Sequence, residues 1–358
     1  MSVYTNLTSA EVTAYLGQYS LGDYAHHEGI SAGVENTNFF VSIKTTEQTT
    51  KKYVLTIFEH HNVAEVESFI NIGRHLAEQG VPVPGPIADK AGKYLHTLKD
   101  KPAIICPCLP GSHPEKITAD HCFQIGSALA QFHLAGEGLQ GLEENNRGLQ
   151  WWPEVARDLI QAGLKQGHFS ENDQHMAASE MLASDMAATE LLTDEQQDIL
   201  IDEIEYQESN TELWAQLPRG LIHGDLFHDN ALFEINETQG DKLGAILDIY
   251  NACQDAWLFD LAIVANDWCA NNVGVWQEGC LPALIDGYQS VRKLTELEQE
   301  SWGMCLRAAA LRFWLSRLLT QQHQAGVVAK DPMEALVTTI KDPMEYFLKL
   351  VRHRETQY

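Results

Sequence analysis

The sequence predicts a bilobal α+β fold: a small N-terminal lobe of about five antiparallel strands with one principal helix, then a larger, mainly helical lobe. Three observations carry that expectation. Strand-like runs crowd the first third of the chain. The last of them ends at a Pro-Gly pair, Pro110-Gly111, which reads as a hinge. Beyond it, apolar residues recur at helical spacing, interrupted by two short strand-like pieces. The 358 residues suffice for two cores, with the lobes expected at 1–108 and 109–358.

TSAE, Thr8 to Glu11, has the form of a capping box and opens a short helix. The runs YAHHEGI, NFFVSIK and KKYVLTIFE follow as strands. AEVESFINIGRHLAEQ has helical periodicity and stops at Gly80, a residue suited to a C-terminal cap. VPVPGP is an extended connector, because each proline disfavours helix in the residue before it. KYLHTL and KPAIICP then read as a hairpin. In the large lobe, ITADHCFQIGSALAQFHLAG is an amphipathic helix with Thr118 as its N-cap. Further helices are expected over 153–165, 171–190 and 193–216. The strands ALFEI and GAILDIY come next, and helices complete the chain. KDPMEAL at Lys330 and KDPMEYF at Lys341 each start a helix at proline.

Lys and Arg number 24 against 50 Asp and Glu, a formal charge of −26. That excludes nucleic acid and anionic membranes as partners, since both need a basic footprint. Much of the acid lies in 171–212, alternating with apolar positions as a solvated helix face does. No apolar run approaches the ~18 residues of a membrane span. MSVYTNLTSAEV lacks the regions of a signal peptide. The seven Cys are scattered without zinc-ligand spacing, which fits buried thiols in the reducing cytoplasm.

The chemistry concentrates in LIHGDLFHDNALF, Leu221 to Phe233, with a further acid in AILDIY at Asp248. Phosphoryl transfer from ATP needs a carboxylate to take the proton of the attacking hydroxyl. It also needs hard oxygen ligands to hold Mg²⁺ against the phosphates. Asp225 suits the base, and Asn230 and Asp248 suit the metal. The order Asp, Asn, Asp across a loop and a hairpin is the protein-kinase arrangement with different signatures. His223 is expected to bond backbone rather than carry protons. In the small lobe, GISAGVENTNFF offers a phosphate cradle at Gly29 and Gly33, with Asn36 beside it. Thr56 stands where kinases place a strand lysine. Backbone groups at Cys108 and Leu109 are placed to meet adenine.

H-G-D-L-x-x-x-N resembles the aminoglycoside-phosphotransferase superfamily, which implies the protein-kinase-like fold and a loop-bracing role for Asp260 in FDLAI. A narrower resemblance rests on GVENTNFFVS, YVLTIFE, VPVPGP, HGDLFHDNALF, ILDIYNAC, FDLAIVANDWC and LRFWLSRL. Together these segments are similar to bacterial homoserine kinases of that type, which also lack the strand lysine. The resemblance implies phosphorylation of the side-chain hydroxyl of L-homoserine by ATP, a step toward threonine. A kinase for an aminoglycoside, choline or methylthioribose would share every chemical residue. A non-catalytic scaffold is disfavoured by the presence of Asp225, Asn230 and Asp248 together.

Homoserine is a zwitterion and needs a cation for its carboxylate. LRFWLSRL offers Arg312 and Arg317, of which only one can face the cleft, and Arg312 is the expected anchor. Asp267 in ANDWC is a candidate for the ammonium, with Tyr250 and Asn251 lining the pocket.

Overall fold

A computed structural model describes residues 3–30, 36–45, 47, 49–166, 192–236, 238, 240–324 and 341–358. Helix α1 (Ser9–Leu16) starts at the Thr8–Glu11 capping box. Strands β1 (Asp23–Gly29), β2 (Thr37–Lys44), β3 (Thr50–Ile57), β4 (His96–Leu98) and β5 (Lys101–Pro107) form one antiparallel sheet in the order β1-β2-β3-β5-β4. The β4–β5 turn has both central residues, Lys99 and Asp100, at positive φ, which matches the twist of a tight hairpin.

Alternation along the strands gives the sheet two different faces. Phe39, Val41, Ile43, Leu55, Ile57, Ala103 and Ile105 close one core against Val12, Tyr15, Leu16 and Tyr19 around α1. The opposite face places Phe58, Ile104 and Cys106 against Val66 and Ile70 of α2 (Val63–Glu78). Helix α2 ends one residue before its cap, Gln79, and Gly80 follows at φ +82°. The Val81 and Gly80 amides turn back to the Leu76 and Ala77 carbonyls, so the last turn leaves few unpaired acceptors.

The chain crosses to the large lobe at Gly111, and Ser112 pairs with Phe233 in both directions at 2.9 and 2.8 Å. A side chain at Gly111 would meet the Phe233 backbone at 2.9 Å. Helices α3 (Ala119–Ala135), α4 (Trp151–Gln166), α5 (Asp194–Ser209) and α6 (Thr211–Gln216) follow, so the single helix expected over 193–216 is broken at Asn210. The helix expected over 171–190, and the one beginning at Lys330, lie outside the described residues.

Two small sheets carry the central loop: β6 (Arg219–Ile222) with β9 (Cys253–Ala256), and β7 (Ala231–Glu234) with β8 (Lys242–Ile246). The β6–β9 pair was not evident in the sequence, because four-residue strands are too short to show a period. Helix α7 (Trp257–Val264) is buried along its whole length and continues into a π-turn, Ala265–Cys269. Helices α8 (Cys280–Val291), α9 (Glu296–Glu300), α10 (Trp302–Gln324) and α11 (Pro343–Glu355) complete the lobe. Asp342 caps α11 and Pro343 opens it. All seven cysteines are free, and five of them are buried.

Candidate active site

Between the sheet pair and α7, the His223–Asn230 segment is held by buried polar bonds. Asp260, fully buried on α7, accepts the His223 and Gly224 amides at 2.7 and 2.9 Å. His133 of α3 lies 3.0 Å from the same carboxylate, and its other ring nitrogen lies 2.8 Å from the Tyr288 hydroxyl. Burial alone would raise the Asp260 pKa, but the His133 bond and charge outweigh it and hold the carboxyl below its usual range. His223 accepts the Asp225 amide on Nδ1 at 3.3 Å, so Nε2 carries the proton given to the Leu247 carbonyl at 2.9 Å. Burial lowers its pKa further, which suits a neutral orienting ring.

This bracing presents Asp225 at a fixed point of the loop. Phe227 donates its amide, and Asn230 its side-chain amide, to the Asp225 carbonyl, each at 2.8 Å. With that NH₂ committed, the Asn230 side-chain oxygen turns the other way. The Asn230 carbonyl accepts the Leu247 amide at 2.8 Å, which brings the residue beside Asp248. Asp248 adopts a left-handed conformation, φ 56° and ψ 57°, unusual for a side-chain-bearing residue and a mark of functional sites. One amide oxygen and one carboxylate are hard donors, and two protein ligands suit Mg²⁺, which takes its other ligands from phosphates and water. Among the described residues no group of three or more His, Cys, Asp or Glu could bind a metal unaided.

A cavity of about 770 Å³ opens between the lobes beside this loop. Gly224, Tyr250, Asn251, Cys253 and Arg312 line it from the large lobe, and Glu59, His61 and Phe69 from the small one. The Tyr250 ring packs against Phe58 and Phe69 at 5.2 and 5.3 Å, so it joins the lobes as well as lining the cavity.

Positions five apart on a helix differ by about 140°, and α10 separates its two arginines accordingly. Arg317 turns away, paired at 2.8 Å with Glu345 and donating to the Asp342 carbonyl. Arg312 is 5% exposed, lines the cavity and rests its guanidinium 3.8 Å from the Phe313 ring centroid. Burial and the nearby Arg147 charge lower its pKa to about 10, against the pull of Asp225. It therefore stays charged at neutral pH.

Other expected site residues stand elsewhere or are already engaged. The Asp267 carboxylate is not part of the cavity wall. It accepts the His228 amide at 2.7 Å and lies 2.8 Å from the His228 ring, whose pKa that bond raises. Gly29 leaves room for Val3, since an added Cβ would come within 2.6 Å of it. Gly33 lies outside the described residues. Asn36 is buried, and its side-chain oxygen accepts the Glu59 amide at 3.4 Å. Thr56 donates to Asn38 at 2.7 Å on the sheet face toward the cleft. The Cys108 amide reaches the Lys52 carbonyl at 3.3 Å and is already engaged.

Comparison with known proteins places this arrangement. Residues 26–294 match the model of a phosphotransferase enzyme family, and the chain belongs to that family. It is similar to a protein named homoserine kinase from Methylobacillus flagellatus, 35% identical over 353 residues, covering 99% of this chain and 95% of the relative. A homoserine kinase from Janthinobacterium sp. is 36% identical over 358 residues, covering 100% and 97%. Solved structures share the fold at low identity. A spectinomycin phosphotransferase in complex with ADP and its antibiotic has TM-score 0.62 at 14% identity, over 96% of this chain and 98% of the other. An aminoglycoside phosphotransferase from Alicyclobacillus acidocaldarius has TM-score 0.63 at 15% identity, over 99% and 95%.

Proposed function

We infer that the chain transfers the γ-phosphoryl group of ATP to the side-chain hydroxyl of L-homoserine, giving O-phospho-L-homoserine for threonine biosynthesis. The full-length similarity to proteins named homoserine kinase carries this reading. The cavity supports it, because the buried Arg312 guanidinium in its wall suits an amino acid's carboxylate. Asp225 takes the hydroxyl proton as the oxygen attacks the γ-phosphorus and ADP departs. Asn230 and Asp248 would hold Mg²⁺, which supplies charge neutralisation at the phosphates. Arg312 anchors the carboxylate, Tyr250 and Asn251 line the pocket, and His223 and Asp260 position the loop. Residues 1–108 serve as the nucleotide lobe and 109–358 as the catalytic and substrate lobe.

Among the described residues no helix is long and apolar enough to cross a membrane. Free, mostly buried thiols fit the reducing cytoplasm as the place of action.

ADP release measured over L-homoserine, kanamycin, choline and methylthioribose tests the assignment. Homoserine should be the preferred acceptor, and Arg312→Leu should raise its KM at least about tenfold with little change in that for ATP. Robust turnover of kanamycin with none of homoserine would overturn it.

A further inference from the structure

Arginines in this acidic chain are generally matched where they are buried. Arg292 pairs with Glu298, Arg307 with Glu203 and Arg317 with Glu345. Arg312 breaks the pattern: among the described residues it has no carboxylate within ion-pair distance, although it is 5% exposed. Arg147, on the loop between α3 and α4, is half-buried, lines the same cavity and likewise has no carboxylate within ion-pair distance among the described residues. Two unmatched guanidiniums in one pocket repel each other, and the fold must hold them there by other means.

Those means are visible in the loop. The Asn145 side-chain oxygen accepts the Arg147 amide at 2.9 Å, while its NH₂ donates to Asp255 at 2.7 Å. Gln254 of β9 donates to the Glu143 carbonyl at 2.7 Å and accepts the Asn145 amide at 3.1 Å. On the other side, the Trp152 indole donates to the Arg147 carbonyl at 2.9 Å. The Arg147 backbone is thus fixed on both sides, and among the described residues no carboxylate pairs with its guanidinium. A residue so held, facing a buried unmatched arginine, marks a site built for an anion that arrives from solution.

We propose that Arg147 is a specificity residue which, with Arg312, clamps the substrate's α-carboxylate in the cavity that both line. This deepens the homoserine kinase reading and rests on it. The carboxylate presents two oxygens, so each can accept from a different guanidinium. The hydroxyl then lies toward Asp225, whose charge Arg312 already senses. A phosphate group is the other anion the pair could take, and the test separates the two.

The probe pair is L-homoserine and 3-aminopropan-1-ol, which keeps the amine and the hydroxyl but lacks the carboxylate. Arg147→Met should raise the homoserine KM by about ten- to a hundredfold, the range for a lost bond to a charged group. The preference for homoserine over the amino alcohol should fall by the same factor, and Arg147→Lys should restore part of it. An unchanged preference in a folded Arg147→Met protein would overturn the clamp. Equal losses on both acceptors would also overturn it, and would assign the pair to phosphate. If the wild-type protein itself ignores homoserine, the kinase reading fails and the clamp fails with it; wild-type turnover therefore separates the two failures.

Discussion

Single residues set the chemistry. Asp225 sits on a loop whose amides are tied to Asp260 and whose ring neighbour His223 is tied to Leu247, so its replacement removes the proposed proton acceptor without releasing the frame. Asp225→Asn should keep the wild-type melting temperature and lower turnover by about 10²- to 10⁴-fold. Near-normal turnover in a folded protein would contradict a base at this position. The loop was legible in the sequence because Asp225 and Asn230 lie within one short stretch with apolar flanks, and Asp248 follows in the next strand-like run. Arg147 was not, because EENNRG has no period and its placement depends on Asp255, which is 110 positions from Asn145 along the chain.

At the level of elements, α3 and α8 approach backbone to backbone. A Cβ at Gly126 would come within 2.1 Å of the Leu284 carbonyl oxygen, and one at Gly287 within 2.0 Å of the Phe123 carbonyl oxygen. Alanine in a helix is ordinarily better than glycine by about 1 kcal/mol. Here the overlap with rigid backbone reverses the sign. Gly126→Ala should lower unfolding stability by about 1–3 kcal/mol in a urea titration, the usual cost of overpacking. A more stable variant would show that the helices can separate at no cost. The caps of α1, α3 and α11 could be read from Thr8, Thr118 and Asp342-Pro343 because capping is local chemistry. The break at Asn210 could not, since the acidic periodicity runs through it.

For the molecule as a whole, the charge of −26 sets the response to salt. Self-repulsion opposes compaction, and raising KCl from about 10 mM to about 100 mM shortens the screening length from about 30 to about 10 Å. The urea midpoint should therefore rise over that range, whereas a fall would mean that screened attractions dominate. The division into a sheet lobe and a helical lobe was legible because the two periodicities change at Pro110-Gly111. How the lobes meet was not, because it depends on side chains far apart in sequence.

Tyr250 is where they meet. Its ring lies against Phe58 and Phe69, only two residues beyond Asp248, and Gly73 of α2 leaves space for the neighbouring Ile249. The small lobe thus supports one side of the turn that holds Asp248. A badly seated small lobe would disturb the Asp248 carboxylate before it disturbed either core. The aromatic joint acts as an interlock, making the alignment of one side chain a readout of whether the two halves are correctly assembled.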